Sequence, residues 1–493
     1  MSQDVDRYFD NHPSGFEMLR TRWALRFALR GCKMRPEQPI HWTPTQSPLV
    51  EGLNLLEASE DSTTPGVDAD SDLVVSTVRM GFGHHRIALG VGSYGSKYGR
   101  NAQLLDLLAS DRDESHAIRR LDEFYSMMSR VSAEMGGPLE AFWGRLMQSG
   151  GVGSARMAHM LTAELGALLN DIPKDVPFVS AYPLNGHLAV RLGFRRVVNL
   201  IFDNDPQHFL IVPGALNLVQ TTSSYEKLRL LGVPREQVAV GGHWVARDLV
   251  ENVPTDSSER ISRAQSGAPR RFLLAIGGAG AQKTFVTALV EALHDALMGG
   301  QTRLLINLGD HEHLRAPFMQ LLEHMKVDYD RVHGYEELSA FCQARPLQDH
   351  DDTGLKSVTL FTFDQHLEAV RATDRLMRVS DVLVTKPSEL AFVPVPKLHI
   401  RRVGDHEAAS ARRSAELGDG TLECREVEEA VRMVNMMSDS SEFLVPMNER
   451  IIENTKKGVY DGAARAVEYA LDNGQNQATK NSVSSLPTQA GAA

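Results

Sequence analysis

Residues 216–243 read LNLVQTTSSYEKLRLLGVPREQVAVGGH. Two short runs rich in branched apolar residues, LNLVQTT (216–222) and QVAVGG (237–242), flank a helical pattern. Strand, helix, strand in close succession is the unit from which parallel sheets are built. The rhythm extends in both directions. Upstream lie LVVSTVRM (73–80), VPFVSAYP (176–183) and RVVNLIFD (196–203). Downstream, ENVPTDSSERISRAQSGAPRR (251–271) is polar, poor in strand formers, and reads as a connector. A second series follows: RFLLAIGG (271–278), TRLLINLG (302–309), SVTLFTF (357–363), SDVLVTK (380–386) and KLHIRRV (397–403). The expected fold class is α/β, with two parallel-sheet domains of similar size.

Length agrees with that division. At roughly 100–200 residues per domain, 493 residues accommodate two domains and extensions. With 52 Lys+Arg against 63 Asp+Glu the net charge is −11, which argues against a general nucleic-acid binder. Cys32, Cys342 and Cys424 are few and widely spaced. No disulfide framework follows, and a reducing cytoplasm is expected. No apolar run approaches the ~18 residues of a spanning helix, and MSQDVDRYFD lacks a signal peptide's basic and apolar regions.

The ends differ from the body. Within the extension 1–70, Phe16 to Met34 mixes arginines with aromatic and aliphatic residues. It reads either as a basic amphipathic helix lying on an anionic membrane surface, or as a helix packed on the body with its arginines solvated. Leu55 to Asp72 is acidic and turn-rich, the composition of a linker or an exposed loop. The expected layout continues with domains at 71–250 and 272–435, closing helices over 436–472 and a polar, disordered tail over 473–493.

Ligands of open parallel sheets collect at the carboxyl ends of the strands, so the residues following each strand are the candidates for chemistry. After LVVSTVRM comes Gly81-Phe82-Gly83-His84-His85-Arg86. Two glycines allow close backbone approach, and the next helix offers free N–H groups to an anion. His84 suits a general base, or is simply a solvated or packed histidine. After RVVNLIFD, Asp203, Asp205 and His208 suit substrate hydroxyls, acid/base work or, as a lesser alternative, a metal; a capped turn explains them equally. Gly277-Gly278-Ala279-Gly280-Ala281-Gln282-Lys283-Thr284 is nearly a P-loop, but Gln282 replaces the glycine before the lysine, which favours diphosphate binding over an NTPase loop. Lys386 and Glu389 follow one later strand, and His406 and Glu407 another. Lys386 is placed to offset ligand charge, the others to hold hydroxyls. No metal or cofactor is expected.

These strand ends resemble the GT-B glycosyltransferases, in particular the branch holding the peptidoglycan N-acetylglucosaminyltransferase and the monogalactosyldiacylglycerol synthases. The likeness spans roughly residues 72–435 as scattered motifs. Gly81-Phe82-Gly83-His84 looks like the family's first glycine-rich loop. Phe202-Asp203 through His208, continuing into 216–243 with its Gly232-Val233-Pro234 turn, resembles a longer block and is the most specific match. Ile276 to Gly280 looks like the opening loop of the donor domain, and Ser380 to Pro387 like the stretch before the glycine-rich donor loop. Gly404-Asp405-His406-Glu407 with Ser410-Ala411 is similar to the family's G-Q-E-x-x-N-A. The chain departs from the pattern at Ser388 and Glu389, where the family has two glycines, and at His406 and Ser410. The family's ribose-binding glutamate falls near Pro394.

The resemblance implies two Rossmann-like domains facing each other across a cleft, an acceptor domain over 71–250 and a donor domain over 272–435. It implies inverting, metal-independent transfer from a nucleotide-sugar, UDP-linked in the family, to an acceptor hydroxyl. Gly277, Gly278, Gly280 and Lys386 would bind the donor diphosphate; Glu389, His406 and Glu407 its ribose and sugar. His84 or Asp203 would be the base, with Gly81, Gly83, His85, Asp205 and His208 on the acceptor side. The acceptor is a lipid or a small molecule, and with a lipid the membrane-surface reading of 16–34 would supply peripheral membrane contact. Alternatives are a nucleotide-sugar epimerase or hydrolase of the same fold, a P-loop-like NTPase using 277–284, and a non-catalytic nucleotide-sugar-binding protein.

Overall fold

The computed structural model describes residues 9, 13–61, 63–79, 81–120, 152–276, 282–402 and 407–472. The chain divides into two compact units. One comprises Met1–Arg79, Val91–Gly241 and Ala464–Ala493; the other Met80–Gly90 and Gly242–Ala463.

Among the described residues, the first unit holds an eight-stranded sheet in the order β1-β2-β4-β3-β5-β6-β7-β8. Its strands are β1 (His41–Gln46), β2 (Leu53–Ser59), β3 (Asp72–Thr77), β4 (Asn101–Asp106), β5 (Phe178–Ser180), β6 (Val197–Leu200), β7 (Leu216–Val219) and β8 (Val238–Val240). All pairings are parallel except the β1–β2 hairpin. Every residue of β3, β5, β6 and β7 is buried, as expected of strands covered on both faces.

The stretch 216–243 folds as its composition directs. After β7, the Thr221 side chain accepts a hydrogen bond from the Ser224 N–H at 3.1 Å and caps the helix Thr222–Leu230. Leu228 faces the core while Leu230 stays exposed. Gly232, at φ +94°, lets the chain reverse, and Val233 and Val238 join the cluster of Ile201, Leu210, Val219 and Leu228. β8 then pairs with β7, Leu218 opposite Ala239.

The second unit holds a six-stranded parallel sheet in the order β11-β12-β10-β9-β13-β14 among the described residues. Its strands are β9 (Arg270–Ala275), β10 (Thr302–Asn307), β11 (Tyr329–His333), β12 (Val358–Thr362), β13 (Val382–Thr385) and β14 (Lys397–His399). Phe272, Ile306, Leu360, Val384 and Leu398 form the core with Val286, Leu289, Phe318 and Leu322 from flanking helices. Two parallel-sheet α/β units are thus present, as the strand rhythm predicts.

Residues 251–271, read from sequence as a polar connector, carry the helix Val253–Ser266, closed by Gly267 at φ +73°. Their polarity has a structural use. Arg263 and Arg271 are buried with Asp352 and Asp381, Arg263 Nε lying 3.0 Å from Asp381 Oδ1. Arg260 donates to the Ser380 and Met377 carbonyls at 2.8 and 2.7 Å. Asp381 stands just before β13 and Arg271 near the start of β9, so this network fastens the amino-terminal edge of the sheet.

Candidate functional site

The second sheet runs from β9 outward to β10 on one side and to β13 on the other. Between β9 and β13 the strand order therefore reverses, the place where open α/β sheets hold ligands. The loop after β13 brings Lys386, Pro387, Ser388 and Glu389 to that point. Lys386 forms an ion pair with Glu407, which is buried. From the β9 side, the Gln282 amide donates to the Arg401 carbonyl, and the Arg401 guanidinium lies 5.5 Å over the Phe285 ring.

Two further strand ends contribute. β10 ends at Asn307, whose side chain accepts from the Gly309 N–H at 2.9 Å, and Asp310 and His311 follow. β12 leads to His366, whose Nδ1 lies 3.4 Å from Asp310 Oδ2.

Segment 80–90, though it leaves β3, belongs to this second unit. Gly81 takes φ +83°, which only glycine adopts cheaply, and the helix Gly83–Gly92 begins two residues later. Phe82 is buried, its ring 5.8 Å from His311 in a stacked arrangement and 5.0 Å from His366. It occupies the space left by Gly309, where a Cβ would stand 3.0 Å from Phe82 Cζ. Gly83 lies against Glu389: a Cβ there would be 3.1 Å from Glu389 Oε2. His85 meets His366 edge-on at 4.9 Å.

Below this loop, Arg86 is ion-paired with Asp374, both buried. Arg371 bridges Asp374 at 3.2 Å and Asp248 at 2.6 Å. Burial pushes the Asp374 carboxyl above its ordinary value although Arg86 and Arg371 oppose the shift. At Asp248 burial acts the same way, but the charge of Arg371 prevails and holds the carboxyl low.

The predicted residues distribute unevenly. Gly81, Gly83, His84, His85, Lys386, Glu389 and Glu407 all lie in the second unit, with direct packing of Gly83 on Glu389 and pairing of Lys386 with Glu407. His84 is partly exposed on the first helical turn. Gly277, Gly278, Gly280 and His406 lie outside the described residues. Asp203, Asp205 and His208 lie in the first unit. There Asp205 is paired with Lys227, and His208 meets Phe9 edge-on at 5.0 Å. Among the described residues, no three His, Cys, Asp or Glu side chains are grouped to hold a metal ion.

Sequence reasoning passed over Phe82, Asp310, His311 and His366 as site residues. The sequence carries a signal, because Asp310-His311 and Asp364-Gln365-His366 directly follow the strand runs 302–309 and 357–363. It also passed over Asn185 in the first unit, which is buried and donates to Ser76 Oγ and the Thr77 carbonyl at 2.7 and 2.9 Å. That bond closes the other reversal of strand order, between β3 and β5.

Comparison with known proteins is consistent with two units. Residues 40–230 match one domain of unknown function (DUF6937) and residues 233–471 another (DUF6938). No curated protein matches. Among solved structures, the chain is similar to the S. aureus MnaA–UDP co-structure at 10% identity, covering 85% of this chain and 100% of that one, with a TM-score of 0.44. It is similar to UDP-GlcNAc 2-epimerase from Neisseria meningitidis bound to UDP-GlcNAc at 13% identity, covering 81% and 99%, TM-score 0.46. A third is the α,α-trehalose 6-phosphate synthase from Burkholderia multivorans at 11% identity, covering 81% and 98%, TM-score 0.38.

Proposed function

We propose that the protein is a glycosyltransferase that moves a sugar from a nucleotide-sugar, UDP-linked, to an acceptor hydroxyl with inversion. The observation that carries this reading is the packing of Gly83 on Glu389. It sets a glycine-rich, histidine-bearing turn beside the loop that follows β13, at the reversal of strand order in the second sheet. The sequence resemblance of Gly81–His84 to a GT-B glycine-rich loop, and of Ser380–Pro387 to the stretch before the donor loop, supports the same reading, with Ser388 and Glu389 as this chain's own departure from that pattern.

In this proposal the donor diphosphate lies along 277–280 and draws Lys386 away from Glu407. The amino-terminal end of the helix Lys283–Ala292, carrying roughly half a positive charge, stabilises the departing diphosphate. Glu389 accepts hydrogen bonds from the ribose, and Glu407 and His406 hold sugar hydroxyls. His84 takes the proton of the acceptor hydroxyl as its oxygen bonds the anomeric carbon. The bond from that carbon to the diphosphate oxygen breaks, and its electron pair leaves on the diphosphate. A base in this position contributes ~10²–10⁴-fold.

A thermal-shift screen against nucleotide-sugars tests the donor, since ligand at a hundredfold excess over Kd stabilises by ~2.7 kcal/mol. His84→Ala is expected to abolish turnover while sparing donor binding; unchanged turnover removes His84 as base. Donor conversion without any acceptor replaces the transferase reading with an epimerase or hydrolase. Binding without turnover over a broad acceptor panel replaces it with a carrier of nucleotide-sugars. Magnesium-dependent NTP hydrolysis lost on Lys283→Ala replaces it with an NTPase.

A further inference from the structure

The helix Gly15–Ala28 packs within the first unit against the helix Val152–Leu161, with Thr21 buried. Its outer side is unusual. Phe16, Leu19 and Trp23 are 74%, 53% and 64% exposed. At positions i, i+3 and i+7 they fall on a single stripe, which a helix of a water-soluble body ordinarily turns inward. Arg22 and Arg26 stand exposed along one flank, and exposed Arg30 and Lys33 follow the helix. Arg120 adds a further cation, its Nη1 3.5 Å from the Arg30 carbonyl. From Gly15 to Arg35 the sequence holds six basic residues against the single acid Glu17, in a chain whose net charge is −11.

We propose that this helix docks the protein on an anionic lipid bilayer. Phe16, Leu19 and Trp23 enter the boundary between headgroups and acyl chains, while Arg22, Arg26, Arg30 and Lys33 meet lipid phosphates. Charge complementarity selects the occupant: a second copy of the chain would bring one basic stripe against another, whereas an anionic bilayer supplies both an apolar layer and opposite charge. The proposal stands apart from the transferase reading, because none of these residues lies at the strand ends that carry that reading.

The test is co-sedimentation of the full chain with phosphatidylcholine vesicles with and without phosphatidylglycerol. Binding is expected only to the anionic vesicles, and it falls as salt rises. Each basic residue near the surface contributes roughly fivefold in affinity, so Arg22→Glu with Arg26→Glu lowers binding by well over tenfold. Phe16→Ser, Leu19→Ser and Trp23→Ser together abolish it, with an unchanged melting temperature because these side chains are exposed. A fluorophore on the partly exposed Cys32 gives a second readout, shifting its emission only with anionic vesicles. Equal binding to neutral vesicles, or equal binding by the triple variant, overturns the proposal. So does self-association, or capture of an acidic protein, that needs the stripe while vesicles go unbound.

Discussion

Glu389 holds its carboxylate against Gly83, so that a Cβ on the glycine would lie 3.1 Å from Oε2. The backbone at Gly83 is not in the left-handed region, and alanine is the better helix former there. Gly83→Ala is therefore expected to leave the urea midpoint unchanged or slightly raised. It should still push the Glu389 carboxylate back by about a few tenths of an ångström and weaken nucleotide-sugar binding by roughly two- to fivefold, since a full 1 Å displacement costs up to ~10²-fold where geometry matters. Gly81→Ala makes the contrast: its φ of +83° is strained for alanine, but nothing lies within 4 Å of the new Cβ. That variant should lose about 1 kcal/mol of stability with donor affinity intact. Titration calorimetry and urea melts on both variants check the pair.

The ion network beneath the loop predicts a larger effect. Asp374 is buried between Arg86 and Arg371, and Arg371 also has Asp248 at 2.6 Å. Asp374→Ala strands the buried Arg86 guanidinium, and about 3–5 kcal/mol of stability is expected to go. Arg86→Met should cost less, because Asp374 retains Arg371 and the methionine fills part of the space. Denaturant melts of the two variants should keep that order; equal losses would mean that Arg371 does not compensate.

Much of the fold was legible because buried parallel strands are continuous apolar runs, and all ten runs read as strands overlap one. The strands missed have physical reasons. β11, YDRVH, is an edge strand with mostly exposed side chains, and β1, HWTPTQ, is a polar edge carrying a proline. β2, LNLLEAS, runs into the acidic stretch 55–72 that reads as a linker, yet it lies between β1 and β4 with Leu53 and Leu56 buried. β4, NAQLLD, lies inside the sheet, but its apolar stretch is too short to stand out. The site was less legible. Arg86 and Asp374 are separated by 288 positions, and neither residue announces the other. The arginines of 260–271 look like a solvated connector in sequence, because composition does not distinguish a charge in water from one neutralised by Asp352 and Asp381.

The three thiols should separate cleanly. Cys342 and Cys424 are buried, and burial pushes both up to about 11, so little thiolate forms near neutrality. Cys32 is partly exposed and receives a hydrogen bond from Arg120 Nη1 at 3.4 Å. In the folded protein a thiol reagent at neutral pH is expected to modify Cys32 quickly and the other two only on unfolding. Peptide mapping after brief alkylation checks this, and Cys32→Ser should remove the fast phase.

Acid should destabilise the protein well before its carboxylates titrate. His187, His243 and His399 are fully buried, and burial, foremost among the causes, pushes each down to about 3 from the ordinary 6.5. Between those values the unfolded chain binds protons that the folded chain refuses. Stability therefore rises with pH across this window, and is lost as pH falls below about 6.5. At about pH 5.5 each such histidine costs about 1.4 kcal/mol relative to about pH 7.5. His41 acts oppositely, since its bond to Asp171 raises it and the stability it contributes is lost as pH rises through the raised value. Its side chain is solvent-screened, so three buried histidines should outweigh it. Urea melts at the two pH values should show the midpoint falling toward acid. His187→Gln should shrink that fall by about a third, one of three such groups having been removed.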